Sequence, residues 1–133
     1  MNRRIVAIWV CLTVMSGFIV IVDVTMDFSL NVGGATLYVN KTGSGGAYTI
    51  IQEAIDNASI GDTVFVYSGS YSERLVIDTT INLTGENRDT TVINGGGIGN
   101  VIRVTAQWVN ISGFRITNGN NGIYVSDPAH KCN

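Results

Sequence analysis

From Thr63 onward, apolar and polar residues alternate with a period of two in short runs, the spacing of half-buried strands. The runs predict strands at Val64 to Tyr67, Leu75 to Ile77, Ile81 to Thr84, Thr91 to Ile93, Val101 to Val104, Val109 to Ile111, Phe114 to Thr117 and Gly122 to Val125. Turn-forming clusters separate them: Ser68-Gly69-Ser70, Gly85 to Asp89, Asn94 to Gly97 and Asn118 to Asn121. Before Thr63 the period is helical. Ile51, Ala54, Ile55 and Ala58 recur on one face. Thr49 and Gln52 match a capping box, and Gly61 is placed to end the helix. A first strand is predicted at Thr36 to Asn40, followed by a flexible loop at Gly43 to Gly46.

The strand pattern repeats. Ile93-Asn94-Gly95 recurs as Thr117-Asn118-Gly119, an offset of 24, and Val101 to Val104 recurs as Gly122 to Val125, an offset of 21. Residues 109–125 read as one coil: strand, Gly turn, strand, Asn/Gly turn, strand. Such a unit cannot bury its own inner face and must stack on a neighbour. The expected fold is all-β, a right-handed parallel β-helix with a short N-terminal capping helix. A β-sandwich is the alternative, but its strands are longer and its turns lack this period. In the stack, Ile81, Leu83, Val109, Ile111, Phe114 and Ile116 point inward, while Asn82, Asn110, Thr117 and Tyr124 point outward or sit at corners. The helix at Thr49 to Ala58 plugs the lower end. Nothing similar follows Val125, so the pattern predicts a bare upper edge, self-association of residues 36–133 alone, and a natural protein that continues past Asn133.

The N-terminal quarter is different in kind. Arg3 and Arg4 precede an apolar run from Ile5 to Val22, 18 residues interrupted only by Thr13, Ser16 and Gly17. This predicts a hydrophobic leader helix, either a secretory signal peptide or a signal anchor. Gly33-Gly34-Ala35 offers a cleavage site, and an uncleaved anchor remains open. Either way the rest of the chain is exported, to the cell surface or beyond it. The expected organisation is leader and linker over 1–35, β-helix over 36–126 and a short tail over 127–133.

Composition narrows the function. Charged residues are 14% of the chain and the net charge is −2, which argues against a nucleic-acid partner. Glycine is abundant at 16 and proline occurs once, as tight turns between short strands require. The two cysteines, Cys11 in the leader and Cys132 in the tail, make no disulfide framework.

Several local sequences carry a resemblance. Tyr48 to Ala58, Gly61-Asp62-Thr63-Val64-Phe65-Val66, Gly69-Ser70-Tyr71-Ser72-Glu73 and Ile81 to Glu86 resemble the N-terminal cap and first coils of pectin-lyase-like right-handed β-helices. Residues 109–125 are similar to the parallel β-helix repeat of NosD-like and archaeal surface proteins. The resemblance implies a helix cap, a Gly-Asp turn and a Gly-x-Tyr-x-Glu turn. Pectin methylesterases share that last turn, but their catalytic motifs on later coils have no counterpart here.

Candidate chemistry is sparse. Glu53, Asp56, Asp62, Glu73, Glu86 and Asp89 fall in the helix and turns, with no pair at coil spacing to act as acid and base. His130 and Cys132 fall short of a metal ligand set, and no cofactor is implied. Tyr67, Tyr71, Trp108 and Tyr124, with Tyr38, are candidates for stacking on sugar rings, although no aromatic row is evident. Asn40, Asn57, Asn82 and Asn110 each open an Asn-x-Ser/Thr sequon and are candidate glycosylation sites in an exported chain. The expected function is a surface or secreted β-helix module, structural or carbohydrate-interacting, partnered by carbohydrate or other surface proteins, with the membrane as a further partner through the leader. The chain leans away from being an enzyme. Two alternatives stand beside this: the front of a polysaccharide lyase or carbohydrate esterase, and a NosD-like accessory of copper-enzyme maturation.

Overall fold

A computed structural model describes residues 34–126 and, within the leader, the backbone of β1 (Val14–Met15) and β2 (Phe18–Ile19). β1 and β2 pair antiparallel, so these four residues are extended where the hydrophobic pattern predicts a helix. The rest of the expected leader helix lies outside the described residues. No helix among the described residues is long and apolar enough to cross a membrane.

The second unit is a parallel β-solenoid. Its strands are β3 (Thr36–Val39), β4 (Thr63–Val66), β5 (Gly69–Tyr71), β6 (Leu75–Ile77), β7 (Asn82–Gly85), β8 (Thr91–Asn94), β9 (Asn100–Val104), β10 (Asn110–Ser112), β11 (Arg115–Thr117) and β12 (Asn121–Val125). They form three parallel sheets, ordered β10-β7-β4-β3, β11-β8-β5 and β12-β9-β6. Each sheet takes one strand from each successive coil, which is the expected β-helix. β5 replaces a predicted turn at Ser68 to Ser70. Gly69 pairs with Thr91 and Tyr71 with Ile93, and this pairing outweighs the turn propensity of the local sequence.

Register aligns apolar side chains into columns. Leu37, Val64, Leu83 and Ile111 stack in the first sheet. Tyr71, Ile93 and Ile116 stack in the second. Leu75, Ile102 and Ile123 stack in the third. The 21-residue offset holds, with Ile102 opposite Ile123. The 24-residue offset is wrong by one: Asn94 lies opposite Thr117. Asn94 is the last residue of β8, whereas Asn118 has already turned to φ 53°. The repeated Asn-Gly pair therefore marks a similar corner, not equivalent positions.

The lower end is closed by α1 (Ile51–Asp56), which buries Ile51, Ala54 and Ile55 against the core. The predicted Thr49–Gln52 capping box does not form, because Ile50 is the capping residue and contributes no side-chain bond. Glu73 supplies the cap instead: its two carboxylate oxygens accept the N–H groups of Ile51 and Gln52, each at 3.1 Å. Gln52 is thereby free to act elsewhere. Its side-chain amide accepts the Val76 N–H at 2.8 Å and donates to the Val76 carbonyl at 3.0 Å. A side chain thus stands in for a neighbouring strand along the lower edge of β6. Nor does Gly61 end the helix. Asn57 does, donating from its side chain to the Glu53 carbonyl at 2.8 Å, while the Gly61 N–H bonds Thr80 in the next turn.

Candidate functional site

The outer face of the first sheet is where functional side chains gather. Alternation along β3 and β4 sends Leu37, Val39, Val64 and Val66 inward and Tyr38 and Phe65 outward. Tyr38 lies opposite Phe65, and the chain leaving β4 adds Tyr67 beside them. Tyr38 and Tyr67 are stacked, with ring centroids 6.1 Å apart and planes 27° apart. Phe65 meets both edge-on, at 6.1 Å from Tyr38 and 5.2 Å from Tyr67. These separations suit favourable aromatic packing.

A shallow groove of about 540 Å³ runs past this cluster. Tyr38 and Tyr67 form one wall and the loop carrying Asn40, Thr42 and Ser44 forms another. The loop is knitted by its own side chains. Asn40 donates to the Ser44 carbonyl at 3.1 Å and accepts from the Thr42 hydroxyl at 3.0 Å; that hydroxyl lies 3.0 Å from the Ser44 hydroxyl. At the far edge, the Ser68 hydroxyl and N–H donate to Glu86 at 2.6 and 2.8 Å. Those two bonds hold the Glu86 carboxyl below the usual Glu range. Preformed aromatic faces beside a row of hydroxyl and amide groups can bind a polyhydroxylated ring.

Of the sequence-predicted aromatic residues, Tyr38 and Tyr67 come together and Tyr71, Trp108 and Tyr124 do not join them. Tyr67 is in the groove. Tyr71 is removed from the candidates: its side chain is sealed in the core, and its hydroxyl donates to the Tyr67 carbonyl at 2.9 Å. Burial, with the negative charges of Glu73 and Glu86, pushes the Tyr71 hydroxyl above its ordinary range. Lys41 lies over this ring, its Nζ 4.8 Å from the Tyr71 ring centre. Trp108 is 87% exposed at the opposite end, in a turn with φ 56°. It borders an apolar hollow of about 620 Å³ lined by Val104, Ile111, Ile123 and Val125 among others. Tyr124 is exposed on β12, opposite Arg103. Phe65 is the member that the sequence reading missed, and the signal for it was Thr36-Leu-Tyr-Val-Asn aligned on Thr63-Val-Phe-Val-Tyr, 27 residues apart.

The carboxylates have structural duties. Asp62 accepts the N–H groups of Ala35 and Ser59 at 2.7 and 2.8 Å, which fixes the Gly-Asp turn. Glu73 caps α1, Asp56 accepts from Gln52, and Glu86 holds Ser68. Among the described residues, no three His, Cys, Asp or Glu side chains stand together as a metal site. His130 and Cys132 lie outside those residues. Of the sequon residues, Asn40 and Asn57 are tied into backbone bonds, while Asn82 and Asn110 lie on the outer face of the first sheet.

No protein-family profile matches the chain. It is similar to a cell surface glycoprotein of Methanothermus fervidus, 34% identical over 83 residues. The match covers 60% of this chain but only 14% of that relative's length. Among solved structures, the chain resembles a pectin methylesterase mutant in complex with a hexasaccharide, with a TM-score of 0.49 and 24% identity over 56% of this chain and 28% of that one.

Proposed function

We propose that the chain is an exported, cell-surface β-helix module that binds saccharide in the groove beside Tyr38 and Tyr67. The stacked tyrosine pair carries this reading, because it presents ring faces next to the Asn40–Ser44 loop at the surface of a rigid sheet. The name of the Methanothermus relative supports a surface location and a link to glycans. The basic, apolar leader supports export.

Titration with a panel of neutral and acidic oligosaccharides, read by calorimetry or by chemical shift, tests the groove. Tyr38→Ala and Tyr67→Ala should each weaken binding about 3- to 10-fold, the worth of one aromatic contact. Tyr124→Ala, remote from the groove, should leave binding unchanged. Binding that survives loss of both groove tyrosines would sink the assignment.

A further inference from the structure

Two of the four sequons are stacked in register. Asn82 lies opposite Asn110, Leu83 opposite Ile111 and Thr84 opposite Ser112. The middle residue of each triplet points inward, and Leu83 is fully buried. Each asparagine and its hydroxyl partner therefore share the outer face of the first sheet. Neighbouring strands in a sheet are about 4.8 Å apart. A pyranose ring is at least as wide as that gap, so two glycans cannot grow side by side from these positions.

The two asparagines differ in access. Asn82 is half-buried, with Thr63 on the strand below and Asn110 on the strand above. Asn110 is exposed, and β10 is the outermost described strand of its sheet. The other two sequons are committed to structure. The Asn40 amide donates to Ser44 and the Asn57 amide ends α1.

We propose that Asn82 and Asn110 form one mutually exclusive N-glycosylation site, filled at Asn110. In the transfer, the Asn110 Nδ2 bonds to the anomeric carbon of a lipid-phosphate-linked oligosaccharide. The bond from that carbon to the phosphate oxygen breaks, and the lipid phosphate leaves. The amide keeps one hydrogen and gives up the other as a proton. The attached glycan covers the outer face above β7 and shields Asn82 from a second transfer.

This inference rests on export, and the experiment separates the two. The full chain, with its leader, is produced in an N-glycosylating host and recovered from the cell surface or the medium. Absence from both counts against export and removes the site with it. For the exported protein, glycopeptide mass spectrometry should find Asn110 modified and Asn82 bare in the same molecule. Asn110→Gln should move the glycan, so that Asn82 goes from bare to modified in most molecules. Ser112→Ala, which leaves Asn110 in place but removes its acceptor pattern, should do the same. Both asparagines modified on one molecule, Asn110 bare in the exported protein, or Asn82 still bare in both variants would each overturn the proposal.

Discussion

At the scale of single residues, the informative side chains are those that tie one coil to another. Glu73 belongs to a turn between β5 and β6, yet it caps a helix 21 and 22 residues earlier. Replacing it with Ala leaves two N–H groups at the start of α1 without their acceptor. The expected loss is about 1–2 kcal/mol of stability, read from urea unfolding; an unchanged midpoint would show that water serves as well. Glu86 makes a pH-dependent tie of the same kind. Its carboxylate is stabilised in the folded state by Ser68, so its folded pKa lies below the unfolded value. That contribution is complete above the ordinary Glu range, near about 4.3, and is lost as pH falls through the lower folded value. The native chain should therefore lose more stability on acidification than Glu86→Gln does. The two urea midpoints, followed from neutral to acid pH, check this, and parallel curves would remove the Ser68–Glu86 tie as a cause. The size of the effect is limited by the exposure of Glu86. These ties were only partly legible in the sequence. Asp62, Tyr71 and Glu73 stood out as turn residues by resemblance, but Asp62 bonds Ala35 and Glu73 bonds Ile51 and Gln52, each a coil away, and pairings of that range leave no local pattern.

At the scale of elements, periodicity carried most of the information. Strands with strict alternation, such as β4 and β6, were readable because each inward residue is buried and each outward one is at least partly exposed. β5 was not readable: Gly69 and Ser70 have turn propensities, and only pairing with β8 makes them extended. The helix was legible from its buried face, and its ends were not, since both caps came from unexpected side chains. The Gly turn between β10 and β11 shows what spacing alone can place. Gly113 has φ 76°, and a Cβ there would run into the backbone of Gly85 on the coil below. Gly113→Ala thus combines an unfavourable backbone conformation with a steric conflict between coils. It should cost about 2 kcal/mol or more. Ala at Gly97, also at positive φ (87°) but in open space, should cost less. Thermal melts of the two variants compare the terms, and equal losses would mean that the coils separate at Gly85 without penalty.

At the scale of the whole solenoid, burial falls from the lower coils to the upper one. Leu75 and Ile102 are sealed in their column, but Ile123 above them is 46% exposed. Ile77 and Val104 are likewise buried, and Val125 above them is 68% exposed. Ile102 and Val104 have a strand on either side, and Leu75 and Ile77 on β6 have β9 above and α1 with Gln52 below, whereas among the described residues β12 is paired only with β9. Among the described residues, the result is an apolar hollow beside a strand edge with no partner, the combination that recruits further strands. Residues 36–133, prepared without the leader, should therefore self-associate through this end. Ile123→Lys with Val125→Lys should return the protein toward a monomer, because two charges would have to be desolvated for a second molecule to dock. Both side chains are already largely exposed, so the substitutions should leave the fold below intact. Light scattering across a concentration series reads the outcome. A monodisperse monomer from the unsubstituted protein would mean that the last coil is covered after all. Association that persists in the double variant would move the contact to another face, with the exposed aromatic cluster of Tyr38 and Tyr67 the next surface to test.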